Sequence, residues 1–139
     1  MFCKSARILF ILMAAVQLAN AQTTGTTVFE SGTEGHKTYR IPAIVGLPNK
    51  NLLAFCEGRV NGSGDFGDIN IVLKKSTDGG ATWSALSTVI DYNNLQAGNP
   101  APVVDLTDPR YPAGRIFLFY NTGNNDEYSM RMGKGIREV

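Results

Sequence analysis

Cysteine and histidine are almost absent from this 139-residue chain. Its two cysteines are Cys3 and Cys56, and its one histidine is His36. Cys3 lies in the leader described below, so the mature chain would keep one cysteine and no internal disulfide; we interpret Cys56 as a small buried apolar side chain. With no second histidine or cysteine at ligand spacing, we expect no histidine-based metal site. No cofactor is expected, and an oxygen-only calcium site outside this segment stays open.

The chain also lacks a charge cluster and a helical hydrophobic period. Lys and Arg number 13 against 12 Asp and Glu, and the basic residues form no patch, so nucleic acid is not an expected partner. Glycine, asparagine and proline interrupt the chain often, and the short alternating runs between them predict an all-β fold. The predicted strands cover residues 27–30, 40–47, 52–57, 69–76, 83–90, 102–105, 115–121 and about 128–132.

The N-terminus has the pattern of a cleavable secretory signal peptide. Lys4 and Arg7 precede an apolar run over residues 8–16, and an Ala-Asn-Ala triplet ends at Ala21. We therefore predict a signal peptide over residues 1–21 and export to the periplasm, the cell surface or the medium. The apolar run is shorter than the ~20 residues that a membrane helix needs, so no membrane span is expected.

Residues 76–83, with the sequence Ser-Thr-Asp-Gly-Gly-Ala-Thr-Trp, form the sharpest local pattern in the chain. Asp78 supplies a side-chain acceptor for nearby backbone N–H groups, and the two glycines after it enter positive φ without steric cost. Residues 69–74 before it alternate in the period of a strand. The pattern predicts a tight hairpin turn, with Trp83 as a large anchor on the returning strand.

The spacing of this turn resembles the Asp box, the repeated turn of sialidase-type β-propellers. The matching positions are Ser76, Asp78, Gly80, Thr82 and Trp83. Upstream, the segment Tyr-Arg-Ile-Pro over residues 39–42 resembles the Phe/Tyr-Arg-Ile-Pro motif of sialidases (neuraminidases), in the same order along the chain. The resemblance implies an all-β, six-bladed β-propeller, and eight short strands would make about its first two blades. Residues 22–139 are then expected to be an incomplete, N-terminal portion of the propeller domain.

Three residues match the sialidase pattern at positions that carry chemistry. Arg40 matches the first of three arginines that clamp the carboxylate of sialic acid, a task suited to a planar guanidinium. Arg59 matches an arginine that faces the sugar. Asp65 lies on a glycine-rich loop and matches the general acid/base. Asp68 on the same loop is the alternative, although its position favours a structural role at the start of the next strand.

Two further residues are candidates for substrate contacts. Asn99 matches a family loop that contacts substituents of the sugar in some members, with an ordinary turn as the alternative. Glu127 is placed to reach the glycerol or N-acetyl side of the sugar, with a solvent-facing loop carboxylate as the alternative. The family's Asp box itself lies on the blade periphery, so residues 76–83 are expected to have no part in the chemistry.

The function that the resemblance implies is that of an exported exo-α-sialidase. Such an enzyme hydrolyses terminal α-linked sialic acids of glycoproteins, glycolipids and oligosaccharides with retention, through a tyrosine nucleophile. In the family that tyrosine, its glutamate and two clamp arginines lie downstream of this segment, so the fragment is expected to be inactive alone. The alternative is a noncatalytic Asp-box propeller that binds glycans or proteins. Arg40, Arg59 and Asp65 together favour the enzyme.

Overall fold

A computed structural model describes residues 25–123, 132–133 and 137–138. These residues form strands, turns and loops, and none of them lies in a helix, which confirms the all-β prediction. It follows that this part of the chain has no helix long and apolar enough to cross a membrane. The seven strands are β1 Thr38–Gly46, β2 Leu52–Arg59, β3 Ile69–Ser76, β4 Ser87–Ile90, β5 Gln96–Asp105, β6 Arg115–Gly123 and β7 Arg137–Glu138.

The strands form two antiparallel meanders joined by one parallel bridge. In the first, β1 pairs with β2, β2 with β3 and β3 with β4; in the second, β5 pairs with β6 and β6 with β7. The bridge joins Ile69 of β3 to Gln96 of β5. This is the arrangement of two successive blades of a propeller fragment, and we call the meanders the first blade (β1–β4) and the second blade (β5–β7).

Most strands lie where the sequence predicts them, and the differences have local causes. Residues 27–30 are not a strand: Phe29 packs its ring on Tyr39 with centroids 5.3 Å apart, and the chain then turns at Glu30, whose carbonyl accepts from Thr33 N. Strand β4 starts at residue 87 rather than 83, because the Leu86 N–H donates to the side chain of Glu34 instead of to a β3 carbonyl.

At the C-terminal end, β5 begins six residues before its predicted start, since the segment predicted as a loop around Asn99 is a bulge inside the strand. The strand predicted near residues 128–132 falls outside the described residues except for Met132, which lies in a turn. The short β7 at residues 137–138 was not predicted.

The two blades repeat the same hairpin, residue by residue. The register slips directly after Arg40 in β1 and directly after Gly98 in β5. The next residues, Ile41 and Asn99, both have φ 53° and both precede a proline. A β-bulge of this kind redirects side chains at the edge of a sheet, so each blade turns its first strand at the same point.

The core lies between the blades. Phe55 and Ile71 of the first blade pack on Ala97 of the second, and all three are at most 4% exposed. Partly buried side chains from both blades surround them, namely Val45, Leu53, Leu73, Ile90, Ile116, Leu118 and Tyr120. This contact packs β2 and β3 of the first blade against β5, the first strand of the second blade.

Cys56 lies on the opposite face of the first blade and is 2% exposed. Its thiol donates to the Arg40 carbonyl at 3.0 Å, and burial, the largest influence, raises its pKa to about 12. A thiol with that pKa forms almost no thiolate at neutral pH and is unreactive. The interpretation of Cys56 as a buried packing residue is confirmed.

The turn predicted at residues 76–83 joins β3 to β4 and is built around one carboxylate. Asp78 accepts from Ser76 Oγ (2.8 Å), Thr82 N (2.9 Å) and Thr82 Oγ1 (2.6 Å). Gly79 and Gly80 have φ of 77° and 95°, and the Trp83 indole N–H donates to the Gly80 carbonyl at 3.1 Å. The turn follows Ser76, which pairs with Leu52 at the end of the β2–β3 hairpin opposite Arg59. Seven residue steps of ~3.3 Å put it roughly 23 Å along the strand from that residue.

Replacing Asp78 by asparagine should lower the urea midpoint of unfolding at pH 7, because the amide cannot accept the same set of hydrogen bonds. The bond from the Thr82 side chain is the main reason why the pKa of Asp78 lies well below its ordinary value of 3.8. A carboxyl whose pKa is lower in the folded than in the unfolded protein stabilises the fold fully at pH values above its unfolded-state pKa. That stabilisation is lost as the pH falls through the folded-state pKa. The difference between wild type and Asp78→Asn should therefore shrink as pH falls below 3.8.

Urea titrations of the full-length protein at pH 7 and near pH 2.5 measure this difference. Asp91→Asn is a suitable control, since Asp91 accepts a single local bond from Asn93 N at 2.6 Å. A difference between wild type and Asp78→Asn that is the same at both pH values would contradict the prediction.

Candidate active site

Charged side chains of the first blade and polar side chains of the second meet at the end of the sheet opposite the 76–83 turn. Arg40 lies near the start of β1, and Arg59 ends β2 where that strand pairs with the first residue of β3. The 60–68 loop connects β2 to β3 at the same end, and Asn99 lies in the bulge of β5. These elements enclose a cavity of about 320 Å³ whose polar lining includes Arg40, Glu57, Arg59, Asp65, Gln96 and Asn99.

Two arginines converge on one carboxylate oxygen in this cavity. Arg40 Nη1 lies 2.7 Å and Arg59 Nη1 lies 2.8 Å from Asp65 Oδ1. The side chain of Arg59 is 4% exposed, whereas those of Arg40 and Asp65 are 45% and 65% exposed. The geometry shows that these guanidinium groups can hold a carboxylate between them from the open side of the cavity.

The 60–68 loop folds over the same guanidinium groups with its backbone. Arg59 Nη1 donates to the carbonyls of Ser63 at 2.6 Å and Gly64 at 2.7 Å, and Arg40 Nη1 lies 3.4 Å from the first of these. At the base of the loop, Val60 N donates to the Asp68 carbonyl at 3.1 Å. The loop is therefore closed onto Arg59, and the backbone of Asp68 closes its base.

The two loop aspartates are in opposite electrostatic surroundings. The hydrogen bond from Arg59 is the main cause of a lowered pKa at Asp65, and Arg40 adds to the effect. Burial, followed by the charge of Asp91, raises the pKa of Asp68. In this arrangement Asp65 is an ionised ion-pair partner, and it can donate a proton only after the arginines release it.

Arg59 is held from behind by Glu57, a residue to which the sequence interpretation gave no role. Glu57 Oε2 accepts from Arg59 Nη2 at 2.6 Å and from Nε at 3.1 Å. Burial opposes the charge of Arg59, but its hydrogen bonds to Glu57 and Asp65 outweigh burial and raise its pKa. The signal was present in the sequence, because residues two apart on a strand share a face and a carboxylate two residues before Arg59 is placed to pair with it.

Asn99 lies at the cavity wall and is fixed by two hydrogen bonds. Its N–H donates to Glu57 Oε1 at 2.8 Å and its Nδ2 donates to Asn121 Oδ1 at 2.9 Å. Asn99 and Ile41, the two cavity residues with φ of 53°, are non-glycine residues in the left-handed region. Strained backbone of this kind is concentrated at functional sites.

The structure thus brings four of the five predicted chemical residues, Arg40, Arg59, Asp65 and Asn99, to one cavity. The fifth, Glu127, lies outside the described residues. Tyr120 lies against the core and pairs its hydroxyl with that of Tyr92 at 2.8 Å. Within residues 25–123 and the two short described pieces that follow, no three His, Cys, Asp or Glu side chains are grouped to hold a metal ion.

The chain has curated relatives, although no protein-family model matches it. An exo-alpha-sialidase of Arthroderma benhamiae is 36% identical over 105 residues, which are 71% of this chain and 24% of that protein. A sialidase of Micromonospora viridifaciens is 37% identical over 108 residues, which are 74% of this chain and 15% of that protein. This chain is a relative of the sialidases.

A sialidase of Paraclostridium sordellii is 33% identical over 114 residues, which are 78% of this chain and 28% of that protein. The chain thus spans about a quarter or less of the length of the first two sialidases and 28% of the third. The resemblance predicted from the motifs is confirmed, and the all-β fold is that expected of a fragment of a sialidase propeller.

Proposed function

We propose that this chain is the N-terminal part of an exported exo-α-sialidase, which hydrolyses terminal α-linked sialic acids with retention. The observation that carries the proposal is the convergence of Arg40 and Arg59 on a single carboxylate oxygen, at 2.7 Å and 2.8 Å, in a polar cavity. The sialidase relatives support it, since they match most of the chain. The substrates are sialylated glycoproteins, glycolipids and oligosaccharides.

Arg40 and Arg59 bind the substrate carboxylate in this proposal. Sialic acid carries that group on its anomeric carbon, so anchoring it also places the bond to be broken. Asp65 Oδ1 occupies the anion position in the free site, and the substrate carboxylate replaces it there. Arg40 is the outer clamp because it is the more exposed arginine, and the buried Arg59 forms the floor.

Asp65 acts as the general acid and then as the general base. Once the substrate carboxylate takes over the arginines, Asp65 loses the hydrogen bond from Arg59 that is the main cause of its lowered pKa. Its pKa then rises toward the range in which a carboxyl protonates a leaving oxygen. Asn99, fixed at the cavity wall, contacts a substituent of the sugar.

The nucleophile comes from outside the described residues. Sialidases use tyrosine, and a neutral phenol avoids the repulsion that a carboxylate nucleophile would meet beside the substrate carboxylate. In the part of the chain that the structure describes, no tyrosine lines the cavity. Because the resemblance places the tyrosine, its glutamate and two clamp arginines downstream of this segment, the 139-residue chain alone is proposed to be inactive. Residues 1–21 are proposed to direct the full-length protein out of the cytoplasm.

Release of sialic acid from sialyllactose tests the proposal. We expect the full-length protein to release it, with the α-anomer appearing first in a time-resolved proton NMR spectrum, and the 139-residue chain to release none. Full-length protein that binds sialyllactose without turnover would overturn the proposed hydrolysis and favour the noncatalytic propeller. Turnover by the chain alone would show that a nucleophile lies within it.

A further inference from the structure

Glu57 is a buried carboxylate that lines the cavity and is hydrogen-bonded to two other residues of the same cavity, Arg59 and Asn99. Its side chain is 2% exposed. A buried carboxylate is costly unless it is paired and hydrogen-bonded, and Oε2 meets this requirement with two donors of Arg59, Nη2 at 2.6 Å and Nε at 3.1 Å. Glu57 and Arg59 are two residues apart on β2, so the strand itself places them on one face.

The bond to Glu57 determines which nitrogen of Arg59 meets the cavity. With Nε and Nη2 engaged, Nη1 is the nitrogen that donates to Asp65 Oδ1 at 2.8 Å. The guanidinium group is planar and Arg59 is 4% exposed, so turning it would break hydrogen bonds in a site with little water to replace them. Glu57 thereby sets the direction in which Arg59 offers its hydrogen bond to an anion.

The second oxygen of Glu57 reaches the other blade. Oε1 accepts from Asn99 N at 2.8 Å, at the residue whose φ is 53°. Gly98 leaves room for this contact, because a Cβ there would lie 2.8 Å from Glu57 Oε1 and 2.7 Å from Gln96 Nε2. One carboxylate therefore connects Arg59 in the first blade to the strained corner of the second.

We infer that Glu57 is a positioning residue that orients Arg59 toward the substrate carboxylate and holds the Asn99 corner against the same cavity. Both of its oxygens are engaged, so it acts through these two residues. The inference about the substrate carboxylate rests on the proposed function, whereas the inference that Glu57 orients Arg59 does not.

A double-mutant cycle on the full-length protein tests the inference with sialyllactose. Glu57→Gln retains the shape of the side chain but places an NH₂ group against the donors of Arg59 or Asn99. We expect KM to rise about 10- to 100-fold with kcat changed less than about 5-fold, since a hydrogen bond to a charged group is lost. In an Arg59→Lys background the same change should raise KM less than about 3-fold, because its main route of action is gone. Equal increases in both backgrounds would overturn the inference and show direct contact with substrate.

Gly98→Ala provides a second variant in case Glu57→Gln folds poorly. It retains the charge of Glu57 but pushes its carboxylate, and we expect KM to rise at least about 5-fold. The control is Glu34→Gln, which breaks the ion pair with Lys74 (2.6 Å) on another part of the first blade and should leave KM unchanged. An unchanged KM in both Glu57→Gln and Gly98→Ala would overturn the inference.

Hydrogen exchange at Arg59 Nε, followed by nitrogen-15 NMR, gives a readout that does not depend on catalysis. We expect exchange to be at least about 10-fold faster in Glu57→Gln than in wild type or Glu34→Gln, because Nε loses its buried acceptor. If wild type turns over no sialoside, the proposed function fails while this measurement still tests Glu57. An unchanged exchange rate would show that Glu57 does not hold Arg59.

Discussion

Replacing Asp65 by asparagine in the full-length protein should lower kcat for sialyllactose about 10²- to 10⁴-fold, the usual contribution of a general acid. The loss should be much smaller for a nitrophenyl sialoside, whose phenolate departs without a proton. Comparing two substrates whose leaving groups differ in acidity thus distinguishes a loss of proton donation from a loss of substrate binding. The alkaline limb of the pH profile of kcat should also change, since the group that must be protonated for catalysis, and that loses its proton as pH rises, is removed.

Asp68→Asn is the matched control for Asp65→Asn. Both aspartates lie on the 60–68 loop, but Asp65 alone contacts the two arginines, and Asp68 closes the loop through its backbone carbonyl, which asparagine retains. We expect kcat of Asp68→Asn to stay within about 5-fold of wild type. If Asp68→Asn loses turnover and Asp65→Asn does not, the general acid is Asp68.

Arg40→Lys should lower kcat/KM for sialosides about 10- to 100-fold, mainly through KM. Lysine retains the charge but offers a compact ammonium in place of two parallel N–H donors, so one charge-assisted hydrogen bond to the substrate carboxylate is lost. A loss of ~1.4 to 2.8 kcal/mol corresponds to that range. Because the Arg40 side chain is 45% exposed, we expect a smaller loss of kcat/KM than for removal of a fully buried cation.

Measuring kcat/KM of Arg40→Lys, with Arg110→Lys as the control variant, tests this prediction. Arg110 is 75% exposed and pairs with Asp108 at 2.8 Å on a surface loop of the second blade, so its replacement should leave kcat/KM unchanged. A kcat/KM of Arg40→Lys within about 2-fold of wild type would remove Arg40 from the carboxylate clamp.

The motifs predicted which residues lie together more accurately than the hydrophobic pattern predicted the strand boundaries. Arg40, Arg59 and Asp65 were named from the sequence, and the structure places all three within one ion-pair cluster. These residues were named from their motif positions and not from the strand boundaries, so small errors in the boundaries do not affect them. The boundaries depend on which backbone donors find partners, as the Leu86 N–H shows by pairing with Glu34.

Glu57 shows why part of the site escaped the sequence. Its pairing with Arg59 is local and was open to prediction from the spacing, but its bond to Asn99 N joins residues 42 positions apart. The space for that bond depends on Gly98, which nothing near it in sequence relates to Glu57. The bulge in β5, with which the strand begins at residue 96, also depends on more than its local sequence. It repeats the bulge after Arg40 in the neighbouring blade.

Cysteine and histidine are scarce in this chain, and the sequence alone supports two expectations: with residues 1–21 removed as a predicted leader, Cys56 has no cysteine partner within this segment, and a single histidine makes a histidine-based metal site within it unexpected. The sequence also determined the all-β class and the turn at residues 76–83, because both follow from local backbone preferences and period. Only the tertiary structure decided that Asp65 Oδ1 lies between Arg40 and Arg59 and that Glu57 joins the two blades. These features depend on distances between strands, which are set by packing Phe55 and Ile71 on Ala97 and are not encoded in any one segment.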